Sequence, residues 1–89
     1  MSVDTGWTEE VELFHAGEAR RIMDSEVFQK ASSDIRDHYL RLWESTQPGE
    51  GDIREECWRA VQALEMVCRQ LRSVIETGKL AEAAQRVRN

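Results

Sequence analysis

The chain has 89 residues, 40% of them hydrophobic and 33% charged, with two cysteines and a net charge of −5. That is enough for one domain, which would bury about 60–65% of its unfolded surface if it folded alone. The acidic balance argues against a nucleic-acid-binding module, whose affinity comes from clustered Lys and Arg, and no stretch approaches the roughly eighteen apolar residues of a membrane span.

The opening MSVDTGWTEEVEL is acidic, where a secretion signal would need a basic and then an apolar region. Ser2, Asp4, Thr5 and Gly6 form a turn-prone lead-in, so residues 1–7 are expected to be mobile. Thr8 or Asp4 then caps a first helix over about residues 8–23, with Glu9, Glu10 and Glu12 where the helix dipole favours anions. Its apolar stripe, Val11, Phe14, Ala19, Ile22 and Met23, is ragged, and Gly17 interrupts it at a cost of about 1 kcal/mol relative to alanine. Trp7 either folds back on this helix as a hydrophobic staple or docks on another chain.

Asp24-Ser25-Glu26 reads as a tight junction and a fresh N-cap. A second helix follows over about residues 25–45, its seam Phe28, Ser32, Ile35, Tyr39 and Leu42 advancing in steps of four and three, with Ala31, His38 and Trp43 on the flanks. Thr46-Gln47-Pro48-Gly49-Glu50-Gly51 ends it, because proline disfavours a helical predecessor and the glycines permit a reversal.

The third helix, about residues 53–77, is the spine. Its seam is Ile53, Cys57, Ala60, Leu64, Val67, Leu71 and Val74. Asp52 and Glu55 suggest a capping box at its start, and Gly78 a left-handed stop at its end. A short fourth helix over about residues 79–87 carries Leu80, Ala83, Ala84 and Val87 on one face. The expectation is therefore a single all-α domain, residues 1–89. Two long helices form an antiparallel hairpin, flanked by an N-terminal and a short C-terminal helix.

Chemistry-bearing motifs are scarce. His15 and His38 fall on different helices without ligand spacing, and Cys57 and Cys68 lie about 16 Å apart along one helix, too far for a disulfide. The thiols are read as small buried hydrophobes in a reducing compartment. Asp34, Asp37 and Glu44 belong on a solvated face, and Gly49-Glu50-Gly51 lacks the lysine and preceding strand of a phosphate loop. No catalytic residue, metal site or cofactor is expected, and the chain is read as not an enzyme.

The tryptophans say more. Trp43 and Trp58 each sit one residue off a seam, and adding Val61, Cys68 and Ile75 widens the apolar face of the spine to nearly half its circumference. One partner helix cannot cover that width, so Trp43, Trp58, Val61, Cys68 and Ile75 are the candidate interface, for a second copy in a dimer or ring and for a larger protein. The basic end, Lys79, Arg86 and Arg88, is the only place where nucleic-acid contact could start, and a lone copy is not expected to bind nucleic acid.

Several strings together resemble a known group. Asp24-Ser25-Glu26-Val27-Phe28, Leu42-Trp43-Glu44-Ser45-Thr46, Asp52 with Arg54-Glu55, Ala63-Leu64-Glu65 and Thr77-Gly78-Lys79-Leu80-Ala81-Glu82 are similar to small helical proteins encoded among the structural and DNA-packaging genes of tailed bacteriophages. The resemblance covers about residues 18–84. It implies a non-enzymatic role in virion assembly or packaging, in the host cytoplasm or the virion, with a larger phage or host protein as partner. The alternative it leaves open is a small regulator, either a packaging subunit with its basic tail on DNA or an acidic inhibitor of a nucleic-acid-binding host protein.

Overall fold

The computed structural model describes residues 6–88, and within them the chain is all helical, with three helices and no strand. They are α1 (Glu9–Asp24), α2 (Glu26–Glu44) and α3 (Gly51–Arg88). The expected mobility of residues 1–5 and the alternative cap Asp4 lie outside the described residues.

Short polar side chains set the first two helix starts. Thr8 caps α1 by accepting from the Val11 N–H at 3.4 Å, and Ser25 caps α2 by accepting from the Phe28 N–H at 3.3 Å. Ser25 is the whole junction. Its N–H donates back to the Ile22 carbonyl while its own carbonyl accepts from Gln29, so one extended residue ends α1 and begins α2. The Gln29 amide closes the joint by donating to the Met23 carbonyl at 3.0 Å.

After α2 the chain reverses through Gln47–Glu50, where Gly49 takes the left-handed backbone (φ 95°) that disfavours other residues. The expected capping box at Asp52 and Glu55 does not form, because both residues already lie inside the helix. α3 begins at Gly51, and Glu50 stands in the cap position, its carbonyl accepting from the Arg54 N–H at 3.2 Å and its carboxylate from the Gln47 N–H at 2.6 Å.

The larger correction concerns the end of the spine. Gly78 does not stop it: α3 runs without a break for 38 residues, and the separate helix expected over 79–87 is its last three turns. Gly78 does not have a positive φ, so its conformational freedom is not what the position uses. Continuing the seam from Val74 by four and then three residues lands on Gly78 and Ala81, both buried. Here glycine serves by having no side chain. A methyl built on Gly78 would overlap that of Ala16 on α1 and come within 3.4 Å of the Glu12 carbonyl.

The arrangement follows from these contacts. Glu9 pairs with Arg88, Ala16 faces Gly78, Arg36 pairs with Glu65 and Thr46 meets Arg54, so numbering falls along α3 as it rises through α1 and α2. Thus α1 and α2, end to end, form one broken arm lying antiparallel on α3. At 1.5 Å per residue α3 is about 57 Å long, consistent with overall dimensions of 62 × 27 × 17 Å. The radius of gyration, 17.8 Å, is well above the ~12 Å of a compact domain of this length.

What the interior contains is as telling as its shape. The buried apolar residues among those described are Ala16, Ala19, Cys57, Cys68 and Ala81, joined by Gly78 and Ser32. All are small. Among the described residues no large side chain is fully buried, although burying one completely contributes about 1.5–3 kcal/mol.

Candidate functional site

The small residues along the α1–α3 seam bring the two backbones close, and large side chains are displaced to the flanks. Besides an open groove of about 560 Å³ at the α1–α2 joint, lined by Ile22, Val27, Phe28 and Ala31 with Glu18, Arg21 and Ser25, two apolar faces lie on opposite sides of the α2–α3 layer. The first is built where the hairpin turns. Leu40 and Trp43 on α2 and Trp58 and Val61 on α3 line a groove of about 420 Å³ with Cys57 at its floor and Tyr39 and Arg36 at its edge. Trp43 is 49% and Trp58 63% exposed. Arg36 Nη2 donates to Glu65 Oε1 at 2.7 Å, tying α2 to α3 at this rim.

The second face lies along the middle of α3. Ala63, Met66, Val67, Gln70, Leu71 and Val74 line an open groove of about 470 Å³. Met66 is 61% exposed and Val67 53%. Leu71 and Val74 also border the next groove, lined by Trp7, His15, Glu18, Ala19 and Ile22, where α1 covers the spine. Ile35 and Leu42, on the flank of α2 opposite Leu40 and Trp43, are exposed beside it.

The residues singled out from the sequence therefore separate. Trp43, Trp58 and Val61 are brought together in the first groove. Cys68 is buried along the α2 side of the spine, and Ile75 is half-buried about two turns further on, so neither joins them. Met66, Val67 and Gln70 did not stand out, because Val67 reads as seam and the other two as isolated off-seam positions. The signal was the helical wheel: they share a face with Ala63 and Val74. Trp7 folds back within its own chain, its ring 4.3 Å from that of His15.

The charged candidates are occupied. Lys79 pairs with Glu76 at 3.2 Å and Arg86 with Glu82 at 3.7 Å, and Arg88 donates to Glu9. That hydrogen bond, with the charge of the same carboxylate, raises the Arg88 guanidinium above its ordinary pKa. His15 Nδ1 lies 2.7 Å from Glu18 Oε1, and His38 packs edge-on against Tyr39. Among the described residues no three His, Cys, Asp or Glu side chains converge as a metal site would require. Cys57 and Cys68 are free thiols, both buried, and no helix is long and apolar enough to cross a membrane. The chemistry these surfaces support is the docking of apolar side chains. No family model, curated protein or solved structure matches the chain.

Proposed function

We propose that this chain is a non-enzymatic helical assembly protein that self-associates and docks on a larger component through its exposed apolar faces. One observation carries the reading: among the described residues no large side chain is fully buried, and the tryptophans, Met66 and Val67 stay at the surface. Its accessible surface is 6850 Å², against about 5,400 Å² for a compact monomer of the same 10.3 kDa mass. Continuous apolar surface of this kind marks an interaction site. The indole groove suits a larger protein, since tryptophan is among the residues most enriched at binding hot spots.

The sequence resemblance supplies the proposed setting, virion assembly or packaging in a tailed bacteriophage. DNA contact through the tail is disfavoured, because the cations that would make it already face carboxylates of their own chain. Thermal unfolding across about a hundred-fold range of protein concentration tests self-association. Coupled association stabilises by about 2.7 kcal/mol over that range, so the midpoint should climb steadily. A midpoint independent of concentration would refute it.

A further inference from the structure

We infer that α1 is an exchangeable arm: rotation at Ser25 alone turns α1 and α2 into one straight helix, and α1 then seats on α3 of a second copy, which returns its own α1 in the same way. This deepens the self-association proposed above, on which it rests, by assigning to it a contact that the closed chain already makes.

The joint comes first. Between Glu9 and Glu44 the single residue outside a helix is Ser25, with φ −64° and ψ 127°. Its φ is already that of an α-helix, and only ψ departs from the helical value of about −42°. The sequence does not impose the break. The one proline of the chain is Pro48, and residues 18–47 contain no glycine. A helical Ser25 would give the N–H groups of Glu26, Val27 and Phe28 the carbonyls of Ile22, Met23 and Asp24 as ordinary helical partners. In exchange it would give up the Ser25 cap on Phe28 and the bond from the Gln29 amide to the Met23 carbonyl. The joint is therefore close to balance, and what holds it bent is the seat of α1 on α3.

The helical wheel shows what the bend achieves. At about 100° per residue, the inward positions of α1, Glu12, Ala16, Ala19 and Met23, centre about half a turn away from those of α2, Phe28, Ser32, Arg36 and Tyr39. With Ser25 extended, both stripes rest on one α3. With Ser25 helical they lie on opposite sides of a single rod, so α2 keeps its place and α1 faces away from its own spine.

The contacts already present define what α1 then meets. The seat it leaves is fitted to it: Gly78 leaves space for the Ala16 methyl, Arg88 reaches Glu9, and Leu71 and Val74 border a groove with Ala19 and Ile22. A second copy carries the identical seat. A two-fold pair in which each α1 occupies the other's seat keeps every one of these contacts. The closed chain and the exchanged pair differ at the two joints, so concentration decides between them by mass action.

Two substitutions at the joint should act with opposite signs. Glu26→Pro fits the bent form, because proline is favoured at the first position of a helix and prefers an extended residue before it, as Ser25 is. In a straight helix the same proline removes a backbone bond and clashes with the preceding turn. It should leave helicity intact by circular dichroism and weaken the pair roughly 100-fold or more. Ser25→Ala withdraws the cap from the bent form only and should tighten the pair roughly 10-fold. Sedimentation equilibrium reads both against the wild-type chain, whose pair should weigh twice the 10.3 kDa chain mass. A wild-type pair indifferent to Glu26→Pro, or loosened by Ser25→Ala, overturns the exchange and leaves self-association to the exposed faces. Should Glu26→Pro fail to fold, the sign of the Ser25→Ala effect still decides. A wild-type chain that stays single at every concentration removes the self-association reading, and the exchange with it.

Discussion

The two helical glycines, Gly17 and Gly78, should respond to the same substitution with opposite signs. At Gly17, in α1, the nearest atom that an added methyl would meet is the mobile end of Arg21, 3.9 Å away. Gly17→Ala therefore gains helix propensity without a clash and should stabilise by about 0.5–1 kcal/mol. At Gly78 the methyl meets that of Ala16, which is held by backbone and cannot turn aside. Restoring an ordinary carbon–carbon separation of about 3.5–4.0 Å requires α1 to move outward by more than an ångström. Overpacking of this kind costs about 1–3 kcal/mol, and the propensity gain of about 1 kcal/mol offsets only part. A net loss of about 1–2 kcal/mol is expected for Gly78→Ala. Urea denaturation followed by circular dichroism, at one fixed protein concentration so that association does not intrude, measures both. In a domain this small each kcal/mol moves the thermal midpoint by about 4–8 °C. Adding Ala16→Gly to the Gly78→Ala chain should return part of the loss, a coupling that distant sites do not show. If Gly78→Ala stabilises as much as Gly17→Ala, then α1 is not seated on α3 at Ala16 and the packing described here is wrong.

Other expectations are simpler to check. Ser25→Ala removes the cap that starts α2 and should cost about 1 kcal/mol in chemical denaturation, with Ser25→Gly losing only a few tenths. Trp58→Ala should leave helicity intact and move stability by no more than about 0.5 kcal/mol, since the indole lies at the surface; loss of the fold would place Trp58 in the monomer core. Cys57 and Cys68 are 2% and 6% exposed, so a thiol reagent should label them slowly in buffer and at once in denaturant; fast labelling in buffer would mean that the α2–α3 layer opens readily. Duplex DNA at low salt should migrate unchanged in the presence of the protein, and a shift that disappears with added salt would show that the basic tail is available to phosphate after all.

Much of this architecture was legible in the residues. Thr8 was legible as a cap of the first helix beside Asp4, and the polar run Asp24-Ser25-Glu26 marked the junction, although the second helix was expected from residue 25 and Ser25 is instead its cap, with Asp24 closing α1; Pro48 with Gly49 marked the reversal. The steps of four and three along the spine were visible too, and following them one position further would have carried the helix through Gly78. What misled was reading that glycine by its backbone freedom. Its role is the close approach of Ala16, a long-range contact that one-dimensional pattern cannot display. The same limit explains why α1 looked insecure. Its packing rests on Ala16 and Ala19, which weigh little in a hydrophobic stripe, while the conspicuous Phe14 is exposed. Of the candidate surface, the indole pair was found because tryptophans just off a seam stand out. The Met66–Gln70 face was missed because Met66 and Gln70 look isolated along the chain, and the side they share with Ala63 and Val74 emerges only when the wheel is drawn.

Whether the molecule completes its core with a second copy is decided most directly by its mass in solution. Sedimentation equilibrium over a wide range of concentration should return a single species of two chains, dissociating only at high dilution. A monodisperse species of 10.3 kDa, unchanged up to the highest concentrations attainable, would mean that water alone covers Met66, Val67 and the indoles, and that the exposed apolar faces serve no self-association.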